Sequence, residues 1–247
     1  MHGEYIIEIA TSDYTSTRQA VLGGADRIEL CTNLGEGGTT PSYGLIKKCL
    51  EDFDVPVYPI IRIRGGDFLY TPEEMACMLE DVRACSQLGC KGVVFGALNR
   101  DATIDTEALK RIVDAAYPMK VTFHRAFDRC RDPLEALEQL IDAGCERILT
   151  SGQALTAPEG AGLIRNLREI AGQRIVIMPG SGVRPDNIAA LALATGCKEF
   201  HASLRSVAGS TMTCFPAAFI NGDNHHYSVK AADVTALKSA LAHAPQQ

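Results

Sequence analysis

The sequence predicts an α/β fold, a closed (β/α)8 barrel of the TIM class, running as a single domain over residues 1–247. Two observations predict it. Four segments share one register: Gly24-Ala25-Asp26-Arg27-Ile28-Glu29-Leu30-Cys31, Gly89-Cys90-Lys91-Gly92-Val93-Val94-Phe95-Gly96, Gly144-Cys145-Glu146-Arg147-Ile148-Leu149-Thr150-Ser151 and Gly196-Cys197-Lys198-Glu199-Phe200-His201-Ala202-Ser203. Each opens on a glycine suited to ending a helix. Strands of a second kind lie between them, separated by amphipathic stretches, so that eight strands alternate with eight helices. Such alternation implies a parallel sheet, and the chain length suits a closed barrel. No proline-, glycine- or serine-rich linker divides the chain.

Taken in order, residues 5–10 form the first strand and place Glu8 inward. The second strand brings Arg27, Glu29 and Cys31 inward while Ile28 faces the helices, because side chains alternate along a strand. Thr40-Pro41 signals the next helix, since proline suits a first helical turn. Residues 57–64 form the third strand, with Tyr58, Ile60, Arg62 and Arg64 inward, and Thr71-Pro72-Glu73-Glu74 starts its helix. The fourth strand points Gly92, Val94 and Gly96 inward. Residues 120–125 form the fifth, with Thr122 and His124 inward, followed by a helix start at Asp132-Pro133. The sixth contributes Arg147, Leu149 and Ser151. Residues 175–179 make the seventh, before Arg184-Pro185-Asp186, and the eighth contributes Glu199, His201 and Ser203.

The alternate strands therefore stack in layers. Arg27, Gly92, Arg147 and Glu199 lie lowest, and the three charged members read as a structural ion-pair plug, since buried charges persist only when paired. Glu29, Val94, Leu149 and His201 form the middle layer, and Cys31, Gly96, Ser151 and Ser203 the top.

A net charge of −6 without a basic run disfavours nucleic acid as a partner. Apolar residues make up 46% of the chain but come in strand-length pieces, short of the roughly 18 needed to span a bilayer. The start, Met1-His2-Gly3-Glu4-Tyr5, lacks a signal region, and the reading is cytoplasmic with no membrane partner. Nine cysteines without disulfide-scaffold spacing read as free thiols. Cys90, Cys145 and Cys197 hold the small-residue slot of Ala25, and Cys49, Cys77 and Cys85 fall in helices, where packing is the expected role. Cys31, Cys130 and Cys214 are the ones placed to meet at the mouth.

Barrel chemistry is built at the C-terminal strand ends. Glu29, His124 and His201 are the candidate proton-transfer residues there, because imidazole beside carboxylate suits proton transfer near neutral pH; the segment Thr122-Phe123-His124-Arg125-Ala126-Phe127-Asp128 offers one such pairing. Glu8, Arg62, Arg64, Asp67 and Ser151 are candidate ligand-binding residues, the two arginines being suited to grip a carboxylate or phosphate. Gly180, Ser181 and Gly182 form a loop after strand seven that could offer backbone N–H groups to an anion, alternatively a tight turn. An enzyme acting by lyase- or isomerase-type proton transfer on a small anionic or phosphorylated metabolite is one function these residues suit.

Several segments together resemble the copper homeostasis protein CutC family: the second-strand segment, Glu36-Gly37-Gly38-Thr39-Thr40-Pro41-Ser42, Arg64-Gly65-Gly66-Asp67-Phe68, the segment from Thr122 to Asp128, and Leu149-Thr150-Ser151-Gly152. The resemblance runs from about Glu4 to Ser203. It implies a cytoplasmic barrel, a homo-oligomer, with a copper ion, copper(I), as ligand. Cys31 is then the candidate metal residue, since copper(I) prefers thiolate and thioether donors, with Cys130, Cys214 or Met212 as second donor. This sequence differs from the family pattern in having Ala10-Thr11 where many members carry cysteine, and Arg62-Ile63-Arg64 in place of Arg-Pro-Arg.

Overall fold

The computed structural model describes residues 5–214 and 225–242. Eight strands alternate with eight helices: β1 (Ile6–Thr11), α1 (Tyr14–Leu22), β2 (Arg27–Leu30), α2 (Tyr43–Asp52), β3 (Val57–Pro59), α3 (Pro72–Leu88), β4 (Gly92–Phe95), α4 (Thr106–Ala116), β5 (Lys120–Phe123), α5 (Pro133–Asp142), β6 (Arg147–Thr150), α6 (Ala161–Ala171), β7 (Val176–Pro179), α7 (Ile188–Thr195), β8 (Glu199–Ala202) and α8 (Ala231–Ala242). A hairpin of β9 (Arg205–Gly209) and β10 (His225–Val229) is inserted between β8 and α8. The parallel strands run β3-β2-β1-β8 and β4-β5-β6-β7. Ile61 N–H donates to Val94 O at 2.7 Å and Ile60 bridges to Val94, joining β3 to β4, while β7 lies beside β8. This is the (β/α)8 architecture the repeats predict.

Caps explain where the helices begin. Thr71 and Glu74 form a reciprocal capping box on α3 with Pro72 in the first turn, and Asp132 caps α5 ahead of Pro133. Two expected starts are displaced. Ser42, not Thr40, caps α2, and α7 begins at Ile188 after a turn through Pro185.

Between strands and helices lies the continuous apolar core, which takes the outward side chains Ile9, Ile28, Val93, Phe95, Ile148 and Phe200. Cys90, Cys145 and Cys197 are buried there beside Ala25, as their shared slot predicts; Cys77 instead is exposed on α3.

The barrel interior is charged. Arg27 is ion-paired to Glu8 through Nε and donates from Nη2 to Glu199 at 2.7 Å, and Arg147 Nε donates to the same Glu199 oxygen at 2.7 Å. Arg147 also donates to Thr122 Oγ1 at 3.1 Å and Glu146 at 2.9 Å. The two guanidinium groups both lie close to Tyr58, 5.4 Å and 5.8 Å from its ring centre, and that ring occupies the space that a Cβ at position 92 would need. Glu8 is wholly buried, yet its carboxyl is held far below the usual range: burial favours the neutral acid, but Arg27 and His201 outweigh it.

Because Glu199 is the carboxylate shared by two arginines, Glu199→Gln leaves two buried guanidinium groups short of counter-charge. We expect a loss of about 3–5 kcal/mol of unfolding free energy in urea titration. A loss within experimental error would show that the plug is not what holds the interior.

Candidate functional site

An open cavity of about 1450 Å³ occupies the C-terminal end of the strands. Of the candidates named from sequence, Glu29, Arg62, His124, Ser181, Gly182 and His201 line it. Glu8, Cys31, Arg64, Asp67, Ser151 and Gly180 do not, each for an identifiable reason.

The floor is set by the plug beneath it. Glu8, placed by sequence among ligand-binding groups, lies under the floor and spends its second oxygen on His201 Nδ1 at 2.8 Å. His201 Nε2 faces Glu29 Oε2 at 3.6 Å, so the imidazole is bracketed by two carboxylates. Burial opposes the imidazolium, but Glu29 and then Glu8 outweigh it and raise the His201 pKa above its ordinary value. Burial in turn raises Glu29, against the pull of His201. The two groups thus form a proton-holding pair open to the cavity.

His124 is the opposite case. Its Nδ1 accepts the N–H of Ala126 at 3.2 Å, so Nε2 carries the hydrogen, and that atom is buried without a hydrogen-bond partner. Burial, and then the charge of Arg62, push its pKa down to about 3. The carboxylate expected beside it, Asp128, points elsewhere. Asp128 accepts from Arg125 Nε at 2.7 Å, Thr150 Oγ1 at 2.5 Å and Ser151 N–H at 2.9 Å, pinning the loop after β6. His124 is therefore a neutral N–H donor, and His201 is the histidine with carboxylate neighbours.

The two arginines after β3 diverge. Arg62 turns inward and donates from Nη1 to Glu36 O and Gly38 O, at 2.9 and 3.0 Å, and from Nη2 to Gly66 O at 3.0 Å. It ties the loops after β2 and β3 together, and no carboxylate pairs with it among the described residues. Arg64 turns outward to Glu74 at 2.6 Å and Asp67 at 3.0 Å, which removes both Arg64 and Asp67 from the cavity. Phe68 from the same loop covers His124, with ring centres 4.9 Å apart.

In the loop after β7, Ser181 and Gly182 reach the cavity and Gly180 does not. Gly180 N–H is used by Thr150 O at 2.9 Å, and a Cβ on Gly180 would overlap Leu149 and crowd His201. Its glycine makes room for the floor rather than for a ligand. Ser181 and Gly182 both adopt left-handed backbone, with φ of 78° and 70°. Their contacts brace the β6 loop: Ser181 Oγ donates to Leu155 O at 3.0 Å, and Ala157 N–H to Ser181 O at 2.9 Å. Ser151 is buried, accepting from Arg125 at 2.7 Å and donating to Ala154 O at 2.6 Å, so it shapes the rim without reaching the cavity.

Cys31 does point inward, but it is fully buried among Leu34, Tyr58, Ile60 and Val94, with Gly38 folded against its sulfur. Burial, and then Glu29, push its thiol well above the usual range, the reverse of the arginine-stabilised thiolate expected at an open mouth. Copper(I) needs more than one soft donor. Cys130 is engaged by Gln153, and Met212 and Cys214 stand exposed after β9. Among the described residues no group of three or more His, Cys, Asp or Glu converges to hold a metal ion. The donor set at Cys31 does not fit a copper(I) site.

The rim carries groups that sequence reasoning did not single out. Arg129, Arg184 and Arg205 line the cavity with no ion-pair partner among the described residues, and Glu36, Glu159, Asp186 and Asp233 also edge it. Arg129 follows directly on the Thr122–Asp128 motif, and Arg184 lies within the β7 loop, so position alone could have flagged both. Arg205 sits past the last barrel strand, on β9, where no repeat points to it.

Comparison with known proteins agrees with this architecture. A family model described as the CutC family matches residues 5–206. A CutC family protein of Chromobacterium violaceum is 53% identical over 207 residues, 84% of each chain. One from Bacteroides fragilis is 47% identical over 235 residues, 95% of this chain and 94% of the relative. The crystal structure of CutC from Streptococcus agalactiae, described as a candidate copper homeostasis protein, superposes with a TM-score of 0.77 at 34% identity, covering 81% of this chain and 98% of that one. No described helix is long and apolar enough to cross a membrane.

The two histidines should act on stability with opposite sign. His124 has a depressed folded pKa, so its contribution is present above its unfolded value of about 6.5 and lost as pH falls toward about 3. His201 has a raised pKa, so its contribution is present below about 6.5 and lost as pH rises through its folded value. In urea titrations at about pH 5 and pH 7.5, the cost of His124→Gln should be larger at the higher pH and that of His201→Gln at the lower. The same ordering for both would contradict these environments. Brief alkylation of the native protein should label Cys77 and Cys214, with Cys31 labelled only after unfolding; early label on Cys31 would show that the loop over it is open.

Proposed function

This chain belongs to the CutC family, and from that premise we propose that its barrel mouth binds a small organic anion and moves a proton on it. The observation that carries this reading is the pair at the floor of the cavity, His201 held between Glu8 and Glu29. A structural plug needs its charges satisfied and closed off; this pair is satisfied from below and faces an open cavity. Glu29 is the proton acceptor. As an ionised carboxylate made more basic by burial, and steadied by the His201 imidazolium, it has the driving force that an ordinary surface carboxylate lacks. His201 is supported by Glu8, whose own charge is fixed by Arg27. Arg62, Arg129, Arg184 and Arg205 supply positive charge with no carboxylate paired to them among the described residues. Since acidic groups edge the same cavity, selection of an anion rests on where these arginines stand rather than on net charge. Among the described residues no lysine lines the cavity, so the reading does not use a Schiff base.

A second reading, copper handling, is supported by the family name and the description of the streptococcal relative. In this chain it would fall to thiols other than Cys31.

The test is to incubate the protein in D₂O with the small-molecule pool of a cell extract and to follow mass gain. An anionic metabolite should gain deuterium with the parent and not with Glu29→Gln. If parent and variant are alike, Glu29 moves no proton. For copper, competition titration with a chromogenic copper(I) chelator should give affinities for parent and Cys31→Ser within about twofold; a tenfold or greater weakening, about 1.4 kcal/mol, would return Cys31 to the metal site.

A further inference from the structure

Among the described residues, the one buried imidazole nitrogen without a hydrogen-bond partner is a donor, and it belongs to a residue of the cavity wall. His124 Nδ1 is committed to Ala126 N–H, and a Cβ at position 96 would lie 2.4 Å from that nitrogen, so the ring can occupy its place only because residue 96 is glycine. Nε2 therefore presents an N–H that no protein atom accepts. Leaving a buried donor unmade costs about 1–3 kcal/mol, which the fold would ordinarily avoid by placing an acceptor opposite.

Beside the imidazole lies the phenyl ring of Phe68, 4.9 Å from the imidazole centre and 5.0 Å from the guanidinium carbon of Arg62, with Arg129 at 5.6 Å from the same ring. An aromatic face attracts cations and accepts N–H only weakly. Arg62 has its two terminal nitrogens tied to loop carbonyls, which fix the guanidinium without neutralising it; its Nε makes no hydrogen bond, with Tyr70 Oη, also unbonded, close to the same group. A directed neutral donor and an unneutralised cation thus flank one ring at the edge of one cavity. Phe68 holds its backbone by accepting Leu98 N–H at 2.8 Å, so its side chain can turn aside without the loop unfolding.

We propose that His124 Nε2–H, with the charge of Arg62 behind it, is the subsite for one oxygen of a carboxylate or phosphoryl group on the ligand, and that Phe68 caps this subsite in the free protein. The assignment rests on the reading of the mouth as an anion site. It gives that site an orientation: the ligand's charged end lies at the β3–β5 side, opposite the proton-accepting pair contributed by β2 and β8. A fixed neutral donor also discriminates by direction, since it serves an acceptor oxygen and offers nothing to a cation or an alkyl group.

The test uses ¹⁵N-histidine-labelled full-length protein and follows the His124 Nε2–H resonance during separate titrations with inorganic phosphate and sodium acetate. We expect a saturable displacement with at least one of them, the stronger identifying phosphoryl or carboxylate as the recognised group. Affinity should fall about tenfold or more in His124→Phe, and be largely kept in His124→Gln, which retains an N–H donor. Saturable binding of either anion that leaves the His124 resonance unmoved would overturn the subsite while leaving the mouth an anion site. Binding of neither anion anywhere in the mouth would remove the anion reading itself. Because the resonance is read in the parent protein, the result does not depend on the variants folding.

Discussion

The rest of the structure depends on the ion-paired plug inside the barrel. Two arginines and two glutamates, Arg27, Arg147, Glu8 and Glu199, take the place that aliphatic layers fill in most barrels. Desolvating them is costly, so each must be matched, and the matching fixes strands from several sides of the barrel relative to one another: β1 and β2 through Glu8 and Arg27, β6 and β8 through Arg147 and Glu199, β3 through the Tyr58 ring against both guanidinium groups. The functional floor inherits its charge from this. Glu8 is ionised because Arg27 is beside it, and from below it adds to Glu29 in raising the basicity of His201.

Legibility in the sequence followed the length of regular strand. On the even strands the period-two alternation persists to the last inward residue, so Arg27, Glu29, Arg147, Glu199 and His201 were correctly placed inward from their register alone. On β3 the same rule was carried too far. That strand ends at Pro59, and beyond it the chain is loop, in which Arg62 turns in to bind carbonyls and Arg64 turns out to the capping Glu74 of α3. A guanidinium two residues from another does not share its face once the pleat has stopped. Cys31 was placed inward as the register requires, but the loop through Gly38 covers it, and loop closure over a strand end leaves no periodic signal. Asp128 shows a third kind of limit: a carboxylate near a histidine in sequence was captured by backbone N–H groups of a loop over twenty residues away.

The two histidines illustrate how one side chain type acquires two chemistries. His201 lies between carboxylates and holds a proton; His124 lies beside an arginine under an aromatic ring and refuses one. Neither state follows from the residue: for His201, Glu29 and then Glu8 overcome burial, and for His124 burial and then the charge of Arg62 act together. The sequence places both at the mouth without separating them, because the partners Glu29 and Glu8 of one and the burial and Arg62 of the other come from segments remote in the chain.

Three glycines set the positions of interior side chains. Tyr58 occupies the space denied to a side chain at Gly92, His124 the space at Gly96, and Leu149 with His201 the space at Gly180. Each of these side chains and its facing glycine share one unit of volume. Change in this barrel is therefore quantised: a methyl group gained at Gly92 or Gly96 displaces an aromatic or imidazole ring as a whole, one at Gly180 drives Leu149 aside and crowds His201, and a tolerated replacement must arrive as a matched pair across strands, with the chemistry of the mouth moving in the same step as its packing.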